Sequence, residues 1–567
     1  MSLVSRCLSY CESSSSLYSP VSPVILNLLK SCKALKTLQQ IHSQIIRQGF
    51  EQDHFIITQF ISLCNSLSSN FTYISSVFDR VNTPNIYLWN TLIKVKSQHS
   101  SIEECLLLFR RMKRCADVCG DKYTFPSLLK VCARELAVRD GWVVHGVIVR
   151  CGVEGDVFVG SSLVDFYGKC REIECARKVF DEMSVRNEVS YTAMIVGYAN
   201  VGDFEMAVSL FEEMPCRNVA SWNAVINVFV RVGDLGGARK LFDLMPEKNV
   251  VSFTTMIDAY AKSGDMASAR FLFEQSTSKD VVLWSALISG YTQNGQANEA
   301  VKLFTDLRAQ NVRPDEYIIV SLMSACSQIG NLELAKWVDS YISQSSLDLR
   351  RPHVVAALVD MHAKCGNMEK ATMLFKKMPK RDLISYCSMI QGLSIHGCGP
   401  QAVALFYSML SEGIIPDDVA FTVILSACSH AGLVEEGCQF FDVMVNKYSI
   451  VPSPDHYACI IDLLGRAGKL KAAYDVLKSM PIERYAGAWG ALLGACKLHS
   501  DIELGKEIAN RLFELEPLNA GNYVLLSNIY AEEDRWLDVS LVRNKMLERG
   551  LRKVPGCTRI QSNSEKN

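Results

Sequence analysis

Between Val219 and Asn249 the apolar positions fall on helical spacing twice. Trp222, Val225, Ile226 and Phe229 line one face of a first predicted helix, and Ala238, Leu241, Phe242 and Met245 line one face of a second. Val232-Gly233-Asp234 between them is a helix stop and turn, and Pro246 closes the pair. The segment predicts a helix–turn–helix hairpin, and the same pattern returns along the chain. Its turn glycines are Gly202, Gly233, Gly264, Gly295, Gly330, Gly366, Gly397, Gly432 and Gly468, at steps of 31, 31, 31, 35, 36, 31, 35 and 36 residues. Steps of this size mark an array of stacked supersecondary units. The recurring order 35, 36, 31 says that the units are of more than one kind.

Each recurring residue has a physical task. Glycine takes the left-handed position after a helix without a Cβ penalty. A small residue early in the second helix, at Ala207, Ala238, Ala269, Ala300, Ala335, Ala371, Ala402 and Ala473, lets the two helices approach closely. A phenylalanine near its end, at Phe180, Phe211, Phe242, Phe273, Phe304, Phe375, Phe406 and Phe441, is placed to pack between neighbouring hairpins. Tiling outward gives fourteen units at 21–53, 54–85, 86–121, 122–156, 157–187, 188–218, 219–249, 250–280, 281–315, 316–351, 352–382, 383–417, 418–453 and 454–484. Arg171 stands where unit 157–187 should have its glycine, so that turn is expected not to be left-handed; unit 122–156 lacks the glycine too.

A repeat array grows by stacking, so 567 residues need not mean several globules. With 59 basic and 60 acidic residues the net charge is −1, which excludes a strongly basic, non-specific nucleic-acid binder and leaves room for a local basic stripe. The 21 cysteines are not clustered, and several recur at one repeat position, as in Ala325-Cys326, Ala427-Cys428 and Ala495-Cys496. They read as reduced core thiols. No apolar run approaches the roughly 20 residues of a membrane span. The first 23 residues hold nine serines, one arginine (Arg6) and one acid (Glu12). Residues 1–20 thus read as an organellar transit peptide, with a disordered polar tail as the alternative.

Several of these segments resemble a known family. Val-Ala-Ser-Trp-Asn-Ala-Val-Ile (219–226), Ala-Val-Lys-Leu-Phe (300–304) and Asn-Val-Arg-Pro-Asp (311–315) resemble pentatricopeptide repeats. The 35, 36, 31 order resembles the long, longer and short repeats of the plant PLS class. Pro454-Asp455-His456-Tyr457-Ala458-Cys459 with Asp462-Leu463-Leu464-Gly465-Arg466-Ala467-Gly468 resembles the last short repeat of that class. Ala488-Trp489-Gly490-Ala491-Leu492-Leu493 resembles its first extension motif, at 485–519, and Asn522-Tyr523-Val524-Leu525-Leu526-Ser527 its second, at 520–553, before a tail at 554–567. This looks like the E subgroup. The resemblance implies an all-α fold, a right-handed superhelical α-solenoid of helix–turn–helix repeats. It also implies a site-recognition factor for C-to-U editing of transcripts in the mitochondrion or chloroplast.

Repeats of this type read about one base per unit through two or three side chains. In the family these are the fifth residue and the last. Here the pairs are Thr58/Asn85, Asn90/Asp121, Ser161/Asn187, Thr192/Asn218, Asn223/Asn249, Thr254/Asp280 and Ser285/Asp315. Val189, Val251 and Val282, at the second position, are candidates to clamp bases. The competing reading of the last position is a helix N-cap, which favours Asp and Asn. That reading does not explain why the fifth position, inside the first helix, is confined to Asn, Ser and Thr in these units; they are poor interior helix formers. A basic residue recurs at position 13, at Arg134, Lys169, Arg231, Lys262, Lys364 and Arg466. Such a stripe can meet successive phosphates or compensate helix dipoles. By the family's pairing rules the target resembles 5′-A-U-n-A-A-Y-G-G, eight unread bases, then the edited C. Ala356 and Cys387 occupy reading positions and are unreadable, and Pro126 and Val320 sit in the longer repeats, which in the family are read poorly or not at all.

A zinc deaminase needs His-x-Glu and Pro-Cys-x-x-Cys. No histidine here begins the first motif, and Cys115 and Cys119 are one residue too far apart for the second. No phosphate-binding glycine-lysine motif is present. The chain is thus read as no enzyme, with no cofactor and no metal. Its expected partners are single-stranded organellar RNA, a deaminase-bearing pentatricopeptide repeat protein in trans and accessory editing factors, with no membrane. Transcript stabilisation, splicing or processing is the alternative outcome. A protein-binding scaffold of the tetratricopeptide kind is the alternative class, but its Trp-x-x-Leu-Gly-x-x-Tyr pattern is absent.

Overall fold

The computed structural model describes residues 21–67, 71–116, 120–344, 351–378, 381–480 and 485–552. The predicted transit segment and the tail lie outside them. Every regular element among the described residues is an α-helix: 32 helices, joined in pairs into 16 hairpins. The first pair is Val21–Ser31 with Leu35–Arg47, and the last is Ala520–Glu532 with Trp536–Glu548. Two compact units divide the chain, Met1–Ala259 and Tyr260–Asn567, with the division inside helix Val250–Lys262. Within each unit consecutive hairpins stack, so the fold is an all-α solenoid of helix hairpins. No helix among the described residues is long and apolar enough to cross a membrane.

Local chemistry sets each hairpin. Asn218 caps helix Val219–Val232, its Oδ1 accepting from the Ser221 amide at 2.9 Å. Gly233 ends that helix at φ 87°, the left-handed conformation that costs glycine least. Asp234 next to it caps helix Leu235–Leu244, accepting from the Gly237 amide at 2.8 Å. Two adjacent residues therefore stop one helix and start the next.

Packing follows the repeat. All eight recurring alanines of the second helices are fully buried. In unit 122–156 the same position is Gly141, where a Cβ would lie 1.9 Å from the Phe166 ring. The recurring phenylalanines meet the aromatic residue of the following hairpin edge-on. In the first compact unit the pairs are Phe180–Tyr191, Phe211–Trp222 and Phe242–Phe253, with ring centroids 5.1, 5.0 and 5.2 Å apart. In the second they include Phe273–Trp284 at 4.7 Å and Phe375–Tyr386 at 5.0 Å. Such pairs add about 0.5–1.5 kcal/mol each beyond area burial. Cys326, Cys428 and Cys496 are buried free thiols, and burial pushes each up to about 12.

One expectation is overturned. Arg171 is left-handed after all, at φ 62°, and Leu136 fills the same role in unit 122–156 at φ 53°. The reason is the hydrogen bonding of the helix end. The Glu172 amide reaches back to the Tyr167 carbonyl at 3.0 Å, and the Ala137 amide to Cys132 at 2.9 Å. That closure requires a left-handed residue whatever its side chain.

Candidate nucleic-acid interface

The last residue of each readable unit caps the helix that follows. Oδ1 of Asn85, Asp121, Asn187, Asn218, Asn249, Asp280 and Asp315 accepts the amide three residues on, at 2.9 to 3.0 Å. The cap fixes which atom is left over. A backbone N–H demands an oxygen, so each Asn turns Nδ2, a donor, away from the cap, and each Asp turns Oδ2, an acceptor. Capping and base reading are thus compatible uses of one side chain.

Three of the fifth residues stand beside these caps. Asn90 donates from Nδ2 to Asp121 Oδ1 at 2.9 Å, Asn223 to Asn249 Oδ1 at 3.3 Å, and the Ser161 hydroxyl lies 3.3 Å from Asn187 Oδ1. Thr58, Ser161 and Thr192 donate to carbonyls one turn back, at 2.6, 2.7 and 2.7 Å. Their oxygens keep acceptor capacity. Ser285 is half-buried on helix Val281–Gln293. Asn223 Oδ1 and Thr254 Oγ1 are buried with no hydrogen-bond partner among the described residues. A buried polar atom left unsatisfied costs about 1–3 kcal/mol.

The second residue of the unit is exposed and apolar far more widely than three valines suggest. In the first compact unit Phe55, Tyr87, Tyr123, Phe158, Val189 and Val251 are each more than half exposed. In the second, Val282, Tyr317, Ile384 and Val419 are as well. The four aromatics from Phe55 to Phe158 were legible as one residue per unit at the position after the helix start. A cavity of about 660 Å³ opens among Thr58, Tyr87, Asn90, Tyr123, Ser161 and Asn187. It joins the reading positions of neighbouring hairpins in the first compact unit.

Comparison with known proteins gives the family. The PPR repeat matches at 87–115, 161–187, 189–219, 220–250, 251–281, 356–383, 384–414, 419–448 and 455–484, and the PPR repeat family at 279–328. A putative pentatricopeptide repeat-containing protein of Arabidopsis thaliana is 60% identical over 529 residues, covering 93% of this chain and 96% of the relative. The chain belongs to the pentatricopeptide repeat family. An E motif matches at 499–561. Two further Arabidopsis thaliana pentatricopeptide repeat-containing proteins are named mitochondrial (35% identical, 95% of this chain, 85% of that protein) and chloroplastic (putative; 36%, 95%, 87%). Among solved structures, the pentatricopeptide repeat protein PPR10 in complex with an 18-nt psaJ RNA element aligns with TM-score 0.49 at 16% identity, over 97% of this chain and 96% of that one.

The basic residues at position 13 of these pentatricopeptide repeats are placed in three ways. Arg134 donates to the carbonyls of Ser97 and Ser100, and Arg231 to the Ala199 carbonyl, so both sit at the negative end of the preceding repeat's first helix. Lys169, Lys364 and Arg466 pair with Asp165, Asp360 and Asp462 one turn back, at 2.7, 2.9 and 2.8 Å. Lys262 is exposed, with no ion pair or hydrogen bond among the described residues. Sequence reasoning missed a second basic position, directly before the last residue of the short repeats. Arg186, Arg217 and Lys248 in the first compact unit lie over Phe180, Phe211 and Phe242, at 4.9, 4.7 and 5.3 Å. Lys279 and Arg381 do the same over Phe273 and Phe375 in the second, at 5.0 and 5.1 Å. Each holds the loop that delivers the capping Asn or Asp.

Proposed function

We propose that this chain is a sequence-specific single-stranded RNA-binding protein, the site-recognition factor for C-to-U editing of organellar transcripts. The observation that supports RNA reading is the orphaned buried acceptor Asn223 Oδ1 beside the capping Asn249 in the first compact unit. The leftover atoms match base edges. Nδ2 of a capping Asn suits the ring-nitrogen acceptor of adenine or cytosine, and Oδ2 of a capping Asp suits the ring N–H of guanine or uracil. Exposed second-position side chains flank each base, a contact that tolerates any π-face. The E motif supports editing over other outcomes, and the relatives named mitochondrial and chloroplastic support an organellar site of action. Catalysis comes from a deaminase-bearing partner in trans, with accessory editing factors.

Asn218→Asp is the direct test, because it changes the presented atom and keeps the cap. Binding to 5′-A-U-n-A-A-Y-G-G should shift from A to G at the fifth base. An unchanged preference there would reject the register. Organellar transcripts from cells lacking the protein should retain one unedited C downstream of the run; intact editing with altered transcript ends would favour processing.

A further inference from the structure

We propose that the first compact unit grips the RNA backbone at one place, through Lys94 and Lys130, and that its cations at position 13 take no phosphate. This rests on the RNA-binding reading above. Each of the two lysines stands four residues beyond the fifth residue of its unit, Lys94 after Asn90 and Lys130 after Pro126. That spacing puts it on the same helix face, one turn further on. Both are exposed, and neither has an ion pair or side-chain hydrogen bond among the described residues. Both line the cavity of about 660 Å³ that also holds Asn90, Ser161 and Asn187. Four lysines line that cavity against one acid, Asp165, in a chain whose net charge is −1. Positive charge is concentrated at this point of the groove.

The recurring cations of this unit are already engaged. Lys169 pairs with Asp165 at 2.7 Å, and a phosphate that took its ammonium would meet the freed carboxylate at the same spot. Arg134 is held by the carbonyls of Ser97 and Ser100. Arg231 is held by the Ala199 carbonyl and Asn200 Oδ1, each at 3.2 Å. Position 9 carries the opposite pattern. It is Lys94 and Lys130 in two successive units, then Asp165, Val196, Asn227 and Asp258 in the next four. Salt-dependent affinity comes from cations that neutralise phosphates, and an ammonium already paired with a carboxylate has little to add. In the predicted run these two units take the second and third bases, and the third is unread. The array holds its RNA by charge where it reads least, and by base edges where its charges are paired.

The test uses the full chain and 5′-A-U-n-A-A-Y-G-G followed by eight bases and C, with Kd measured across a salt series. Each phosphate met on a single strand adds about 0.7 to the slope of log affinity against log salt. Lys94→Gln and Lys130→Gln should each flatten the slope by about 0.7, and together by about 1.4. A fourfold rise in salt then costs the wild type about sevenfold more affinity than the double variant. The loss should be equal for matched and scrambled RNA. Neutral methylphosphonate linkages flanking the second and third bases should flatten the wild-type slope by the same amount and leave that of the double variant as it is. Asp165→Asn should release Lys169 and steepen the slope by about 0.7, and Lys169→Gln added to it should reverse the gain. Both position-9 lysines are exposed, and far-UV circular dichroism checks that the variants stay folded. An unchanged slope in the double variant, with the matched RNA still preferred, would overturn this inference alone. So would an equal effect of methylphosphonates flanking the seventh and eighth bases. No preference for the matched over the scrambled RNA at any salt would overturn both readings.

Discussion

Arg217 lies over the ring of Phe211, its guanidinium carbon 4.7 Å from the centroid, and donates from Nε to the Phe211 carbonyl oxygen at 3.1 Å. One side chain thereby ties the end of helix Phe204–Glu213 to the loop that carries Asn218. Arg217→Ala should cost about 2 kcal/mol, from a modest cation–π contact and charged hydrogen bonds to the Phe211 and Glu212 carbonyls that solvent partly replaces. It should also weaken discrimination at the fifth base, because Asn218 loses its support. Arg217→Lys should retain most of both, since Lys248 and Lys279 occupy this place in other repeats. Urea titration and RNA binding on the same variants check it; equal stability of the Ala variant would refute the role.

Arg171 at φ 62° holds a conformation that glycine enters more cheaply. Arg171→Gly should stabilise the protein by about 1 kcal/mol, the side-chain penalty of the left-handed region. A rise in thermal midpoint supports this, and a fall would show that the exposed Arg171 side chain contributes more than its backbone costs.

Stability should also respond to acid. Burial holds the imidazoles of His42, His145 and His362 below the ordinary histidine range. Tyr167 Oη lies 2.8 Å from His145 Nδ1, within hydrogen-bond distance of the buried ring. The unfolded chain takes up these protons near pH 6.5, but the folded chain resists until lower pH. Their contribution is therefore complete above about pH 6.5 and is lost progressively as pH falls from there through the lower folded-state values. Scanning calorimetry from neutral to mildly acidic buffer should show a falling midpoint, less steep in His362→Gln. A midpoint that rises on acidification would contradict the sign.

The last helix, Trp536–Glu548, exposes Trp536, Leu537 and Leu541, at 62, 85 and 66%. A contiguous exposed apolar face of this kind marks an interaction surface. Leu537→Glu with Leu541→Glu should leave folding and RNA affinity within about 0.5 kcal/mol of wild type while abolishing editing of the target. Editing that survives the pair would exclude this face as the contact for the proposed deaminase partner.

The solenoid was legible because its period is enforced by packing. Ala238 and Phe242 recur where a helix crossing and a ring pair admit little else, so a single sequence displays the register. What escaped had no periodic signature of its own. Arg171 and Leu136 hide a left-handed turn behind side chains that do not announce it; hydrogen bonding to Tyr167 and Cys132 imposes it from outside. Arg217 and Lys248 read as loop charges until the rings beneath them are seen. The choice between cap and base reader at Asn218 looked exclusive from sequence, but the cap uses Oδ1 alone and leaves Nδ2 for the proposed base contact.

That division of labour bears on how such an array acquires new targets. Asn and Asp are nearly equal as caps, so exchanging them at Asn218 or Asp280 should barely disturb folding while inverting the hydrogen-bonding character shown to a base. On the proposed reading, a lineage carrying this architecture drifts from one transcript address to another by single-residue steps, each tolerated by the scaffold before any new target exists to select it.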